Sequence, residues 1–262
     1  MSTCVPTSTV IPAASTQTPI PSISNPALIY SVAELEAFLS TIPPSSTLYL
    51  DLEGNNICRH GTISIITILI HPQRIVRLID VLVLGDSAFT IASNSGTTLK
   101  SLFEDPEIPK CLWDVRNDAD ALWALYQVGL AGVTDIQLLE NASRCGDKKY
   151  LRGLAKSIQC DLDLGFAVSQ RWYRTKKDIG RLMDANVFAT RPMDDKTIEY
   201  CANDVLHLPE LHVIFLERIE DDWLAKAKKE SECRLARAHS PRYWPSSPWK
   251  ARGPWGSGYS KY

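Results

Sequence analysis

The stretch Leu48-Tyr49-Leu50-Asp51-Leu52-Glu53-Gly54 is apolar at first and then alternates apolar with acidic side chains. Successive side chains on a strand point to opposite faces. As a strand, it therefore sets Asp51 and Glu53 on one face and Leu50 and Leu52 on the other. Two carboxylates at adjacent positions on one face repel each other, and a cation between them removes the repulsion. Hard oxygen ligands of this kind suit Mg2+ or Mn2+. Taken alone, the pair also fits a strand end that faces water.

The flanking sequence places this strand in a larger pattern. Upstream, Ser31 with Glu34 three residues on forms a capping box, and Ala33, Leu35, Phe38 and Leu39 continue an apolar helix face that must end before Pro43-Pro44. Downstream, the loop Gly54–Gly61 leads at hairpin length to a β-branched strand, Thr62–Ile70, and then to an alternating strand, Arg74–Asp80. A helical stretch is expected at Leu99–Phe103, a short strand at Lys110–Asp114 and an amphipathic helix at Asp118–Val128. Helical or mixed segments follow at Thr134–Glu140 and Leu151–Ile158, with a long helical stretch at Met193–Ile219 interrupted at Pro209. Three strands in a meander followed by alternating helices and strands predict a mixed α/β sheet with helices packed on it.

Composition narrows the setting. The chain has 262 residues, 45% of them apolar, enough for a large core. Its seven cysteines are odd in number and scattered, with no C-x-x-C pair, so neither a zinc site nor a disulfide framework is indicated. A reduced, intracellular compartment is the expectation, with nucleus and cytoplasm not distinguished. The longest apolar run, around Ile63–Ile70, is too short to span a bilayer, and the N-terminus has no basic region of a signal peptide.

Residues 1–27 carry no charge, and 15 of the 27 are Ser, Thr or Pro, so a disordered lead is expected there. Residues 222–262 hold nine Lys or Arg against three acids, which leaves 19 basic and 27 acidic residues in 28–221. The net charge of −2 thus hides an acidic domain, 28–221, and a basic, aromatic-rich tail, 222–262.

Two further motifs carry acids. In Lys110-Cys-Leu-Trp-Asp114-Val-Arg-Asn-Asp118-Ala-Asp120-Ala-Leu122 a strand gives way to a helix. The helix dipole alone favours an acid at that start. In Tyr200-Cys-Ala-Asn-Asp204 the four-residue spacing places Tyr200 and Asp204 on one helix face.

The order of these three motifs resembles the DEDD superfamily of 3′–5′ exonucleases, which includes ribonuclease D and the Werner syndrome exonuclease. The resemblance covers residues 28–221 and is strongest to fungal 3′–5′ exonuclease domain proteins. It is carried by Asp51-Leu-Glu-Gly54, Arg59-His-Gly-Thr-Ile-Ser64, Asp114–Leu122, Asp135-Ile-Gln-Leu-Leu-Glu140 and Tyr200–Asp204.

The resemblance implies an RNase H-like fold and catalytic residues Asp51, Glu53, Asp118, Tyr200 and Asp204. The four acids would hold two divalent cations, Mg2+ or Mn2+, about 3.5–4 Å apart. The superfamily's histidine variant places His five residues before the last Asp. Here that residue is Glu199, and Tyr200 stands four before it, which implies the tyrosine variant, DEDDy. The implied substrate is single-stranded RNA or DNA with a free 3′ end, and no membrane.

Arg59 and His60, in the loop after the first motif, are candidate nucleic-acid contacts. So are Arg171, Arg174, Lys177 and Arg181, which with Lys176 form a basic segment that could track the backbone of a single strand. In the tail, aromatic residues alternate with Lys and Arg, a pattern that fits stacking on unpaired bases. The alternative is an exonuclease-like scaffold, weak or inactive in catalysis, that binds RNA or protein.

Overall fold

The structure, a computed structural model, describes residues 26–182 and 186–256. The expected lead therefore lies almost wholly outside the described residues. The chain enters through a short strand, β1 (Ala27–Ile29), and a helix, α1 (Val32–Ser40). The expected capping box is present: the Glu34 backbone donates to Ser31 Oγ, and the Ser31 backbone donates to the Glu34 carboxylate.

The meander follows as β2 (Thr47–Glu53), β3 (Ile65–His71) and β4 (Ile75–Asp80). Three helices come next, α2 (Val81–Leu84), α3 (Ser87–Thr90) and α4 (Leu99–Glu104). Strands and helices then alternate: β5 (Lys110–Leu112), α5 (Arg116–Tyr126), β6 (Val133–Asp135) and α6 (Ile136–Ser143). The remainder is helical, with α7 (Leu154–Asp161), α8 (Phe166–Gly180), α9 (Asp195–Leu206), α10 (Leu208–Arg218) and α11 (Asp221–Ala238).

The six strands form one mixed sheet in the order β1-β4-β3-β2-β5-β6. The meander pairs are antiparallel, whereas β2 with β5 and β5 with β6 are parallel. Register places Asp51 opposite Thr67 and Glu53 opposite Ile65.

Strand alternation divides the core in two. Leu48, Leu50 and Leu52 pack with Leu35 and Phe38 of α1, Phe103 of α4 and Leu122 of α5 on one face. Tyr49, on the other face, packs with Leu138 of α6, Val205 of α9 and Phe215 of α10. Asp51 and Glu53 share the Tyr49 face, so α9 crosses the sheet on the side where the first acids point.

α9 is held in place at its start. Asp194 caps it by accepting from the backbone of Lys196 and Thr197. Just upstream, Arg191 grips the buried Asp80 with two nitrogens, each at 2.6 Å.

Among the elements without a signature in the sequence pattern are β1, α8 and α11. β1 is three residues long and owes its shape to pairing with β4. α8 buries Trp172, Thr175 and Ile179, half-buries Tyr173, Lys176 and Asp178, and exposes most of its remaining residues. α11 buries Ala227, Ser231, Arg234 and Ala238, which are small or polar, so it shows no apolar stripe. The basic segment 222–262 stands apart by charge, yet its described part folds onto the sheet domain. α11 packs along α5, α6 and β6, and the chain beyond it returns across the same side. Among the described residues, no helix is long and apolar enough to cross a membrane, and the cysteines are unpaired.

Candidate active site

β2 ends at Glu53 and β5 ends at Leu112, side by side and parallel. Ligand sites of open α/β sheets lie beyond such carboxyl ends. Here Asp51 and Glu53 rise from β2 and meet Asp204, which projects from α9. One ligand oxygen from each of the three carboxylates lies within 4.8 Å of the others.

So close a grouping of buried acids resists ionisation. Burial raises Asp51 to about 8; the Asp204 charge adds to this and Lys176 opposes it. Burial, then the charges of Asp51 and Asp204, push Glu53 well above its ordinary value. Burial also raises Asp204, against the pull of Lys176. Hard oxygens, mutual repulsion and the lack of enough cationic partners are what a divalent-cation site requires.

Asp118 approaches from a different element. The turn Trp113–Val115 carries the chain from β5 into α5, with Asp114 in the left-handed region at φ 65°. Buried Asp135 holds this turn by accepting from the backbone of Asp114 and Val115, both at 3.1 Å. α5 then begins, and Asp118 lies in its first turn. It falls outside the tight group of three but close enough to interact with it. Burial raises the Asp118 carboxyl, and the Asp51 charge raises it further.

The other two acids of this motif have cationic partners. Burial pushes Asp114 up, but the ion pair with Arg116 at 2.5 Å and the charge of Arg234 outweigh it and hold Asp114 at about 2. Asp120 is buried against Arg59 at 2.7 Å.

Tyr200 lies one turn before Asp204 on α9, nearly buried, as the spacing implied. Burial and the charges of Asp204 and Glu53 hold its hydroxyl far above the usual tyrosine range. Lys176 of α8 completes the cluster. Its ammonium pairs with the Asp204 carboxylate and lies 4.1 Å from the centre of the Tyr200 ring.

The candidate nucleic-acid contacts separate into two groups. Arg59 is engaged within the protein. Its Nε reaches Asp120, and its other nitrogens donate to the carbonyls of Pro241, Ala238 and Ser240. It ties the loop after β2 to α5 and to the end of α11, so the structure gives it a structural place rather than a free one. His60, its neighbour, is exposed. Arg171, Arg174, Lys177 and Arg181 are all exposed and recur every three or four residues along α8 and its end, so they form one stripe. Arg171 is paired with Glu199 at 2.6 Å.

Lys176, expected to track a strand with its basic neighbours, turns instead to Asp204. Its position four residues after Trp172 places it on the buried face of α8, a signal legible only once α8 is known to be a helix.

A family model described as 3′–5′ exonuclease matches residues 26–220. The chain belongs to the 3′–5′ exonuclease family. Among curated relatives, it is 26% identical over 186 residues to the piRNA biogenesis protein EXD1 of Mus musculus and to that of Homo sapiens. Each match covers 69% of this exonuclease-family chain and only 31% and 34%, respectively, of those relatives.

Among solved structures, Trypanosoma brucei RNase D in complex with GMP superposes with a TM-score of 0.66 at 20% identity, over 83% of this chain and 65% of that one. Escherichia coli RNase D gives 0.54 at 21% identity, over 81% and 50%. Brucella melitensis NrnC with bound Mg2+ gives 0.54 at 16% identity, over 81% and 89%. These likenesses confirm the RNase H-like exonuclease fold expected from the motifs.

Proposed function

We propose that the chain removes nucleotides one at a time from the 3′ end of single-stranded nucleic acid, hydrolysing each phosphodiester bond to release a nucleoside 5′-monophosphate. The observation that carries this is the meeting of Asp51, Glu53 and Asp204 within 4.8 Å, in a chain of the 3′–5′ exonuclease family. Asp118, in the first turn of α5, is held above the ordinary carboxylate range by burial and then by the nearby Asp51 charge, which supports its inclusion in the site.

Asp51, Glu53, Asp118 and Asp204 would hold two divalent cations, Mg2+ or Mn2+. When bound, such ions lower the pKa of a water and stabilise charge on the phosphate and the leaving oxygen. Tyr200 stays protonated, so it acts as a hydrogen-bond donor that orients the reacting groups and not as a base. Lys176 supplies positive charge to Asp204 where the protein carries too many carboxylates. The exposed stripe of Arg171, Arg174, Lys177 and Arg181 suits the backbone of an incoming strand. The RNase D likeness, which includes a Trypanosoma brucei RNase D structure in complex with RNA U12, makes RNA the first substrate to assay.

The test uses a 5′-labelled single-stranded oligonucleotide, RNA and DNA in parallel, with Mg2+, Mn2+ or EDTA. A ladder that shortens from the 3′ end and stops in EDTA is the expected result. Internal cuts would overturn the exonuclease assignment. An intact but retarded oligonucleotide would replace it with a binding scaffold.

A further inference from the structure

The chain beyond α11 crosses back over the domain as a strap, 239–256. Leu151 donates its backbone N–H to Ala251 at 3.0 Å, and Gly253 donates to Lys149 at 2.9 Å. Trp255 packs edge-on against Trp223 of α11, with ring centres 5.5 Å apart. Strap and helix enclose an open cavity of about 820 Å3, within the size range of ligand pockets.

The cavity wall is basic. Three of its arginines already have carboxylate partners: Arg116 with Asp114, Arg234 with Asp135, and Arg237 with Glu230. Arg242, Lys250 and Arg252 have none among the described residues. Arg242 is exposed, and the guanidinium of Arg252 lies 4.4 Å above the ring of Trp249. The Lys250 ammonium donates to the Asn117 and Pro245 oxygens, which are neutral. Trp244 and Trp249 are 60% and 58% exposed beside these cations.

One edge of the cavity is shared with the active-site turn. Tyr243 donates its hydroxyl to Asn117 Oδ1 at 2.9 Å, the Lys250 ammonium donates to the same oxygen, and the next residue is Asp118.

Exposed indole faces beside cations without a direct ion-pair partner match the needs of an unpaired nucleotide, with the base stacked and the phosphate neutralised. An apolar protein face would desolvate three cations without pairing them.

We propose that this cavity is a second station for the same strand. It would take a nucleotide upstream of the 3′ end, with its base on Trp249 or Trp244 and its phosphates on Arg242, Lys250 and Arg252. The proposal rests on the 3′–5′ exonuclease reading for the direction of the strand, but not for the binding itself.

The test is fluorescence anisotropy of a labelled 12-nucleotide single strand with the full chain in EDTA, where no hydrolysis occurs. Wild-type protein should bind. The double variant Arg242→Glu, Arg252→Glu should bind at least about tenfold more weakly, with a salt slope flatter by roughly 1.4, the value for two lost phosphate contacts on a single strand. Trp249→Ala should lose about fivefold or more from one lost stack. Trp249 is largely exposed, so its loss leaves the core intact, and circular dichroism checks this.

Equal affinity and equal salt slope in all three proteins would overturn the station. So would tryptophan fluorescence that responds to protein concentration and not to oligonucleotide, which would give the surface to a second copy. Binding through these residues by a protein that cuts nothing would sink the nuclease and keep the station. Processive cutting with indifferent variants would do the reverse.

Discussion

Arg234 Nη1 lies 2.6 Å from Asp135 Oδ2, and neither side chain is more than 2% exposed. Asp135 also accepts from the backbone of Asp114 and Val115, and Arg234 extends towards Asp114 at 3.5 Å. A residue of α11 thus braces the turn that launches α5 and delivers Asp118. Arg234→Ala leaves Asp135 buried with its charge unpaired. Such a break should cost about 3–5 kcal/mol, read as a lower urea midpoint. A loss under about 1 kcal/mol would show that the pair does not support the turn.

Asp51 and Asp204 should separate stability from activity. Asp51→Asn and Asp204→Asn are each expected to abolish metal-dependent hydrolysis. In the metal-free protein at pH 8 to 9, Asp51→Asn also removes a charge that burial and Asp204 disfavour, so its Tm should match or exceed that of wild type. A variant that keeps full activity would refute the site, and a lowered metal-free Tm would refute the electrostatic account of it.

The same carboxylates set a pH dependence. Their folded pKa values are raised, with Asp51 at about 8. A carboxylate raised on folding binds its proton more tightly in the native state. Its contribution is fully present below the unfolded pKa of about 4 and is lost as pH rises through the folded value. Metal-free Tm should therefore fall from about pH 5 to about pH 8. Added Mn2+ should raise Tm more at the upper end, because the ion binds the ionised form. Thermal scans with EDTA and with Mn2+ at both pH values measure this. A metal-induced shift that shrinks with pH contradicts it.

Tyr200→Phe removes one hydroxyl from a buried ring that still packs 5.8 Å, centre to centre, from Phe188. The fold should survive while kcat falls by about 10²-fold, the low end for a lost proton-positioning group. Steady-state kinetics should show the change in kcat with KM nearly constant. An unchanged kcat would deny Tyr200 its orienting role.

Gly54 follows Glu53 at the end of β2. A Cβ there would lie 2.0 Å from the Thr62 carbonyl oxygen, so backbone must move to admit it. Gly54→Ala should cost about 1–3 kcal/mol of stability, as overpacking does. It should also weaken metal binding, because Glu53 would shift with the strand. Denaturation and Mn2+ titration of the variant test both.

The sequence by itself determined the parts that repeat along one element. Alternation in Tyr49–Glu53 fixed a strand with Asp51 and Glu53 on one face. The Ser31–Glu34 box fixed a helix start, and the four-residue spacing fixed Tyr200 beside Asp204. The order of these motifs sufficed to indicate the RNase H-like fold and the exonuclease family.

Tertiary structure alone decided which charges are already paired. It engaged Arg59 with Asp120, brought Arg234 to Asp114, turned Lys176 towards Asp204, and folded α11 onto the domain through a buried arginine. The reason is physical. Burial of apolar side chains follows the period of a helix or strand and so leaves a local pattern. An ion pair between residues 28 to 120 apart in sequence leaves none, because its partners become neighbours only when the fold has assembled.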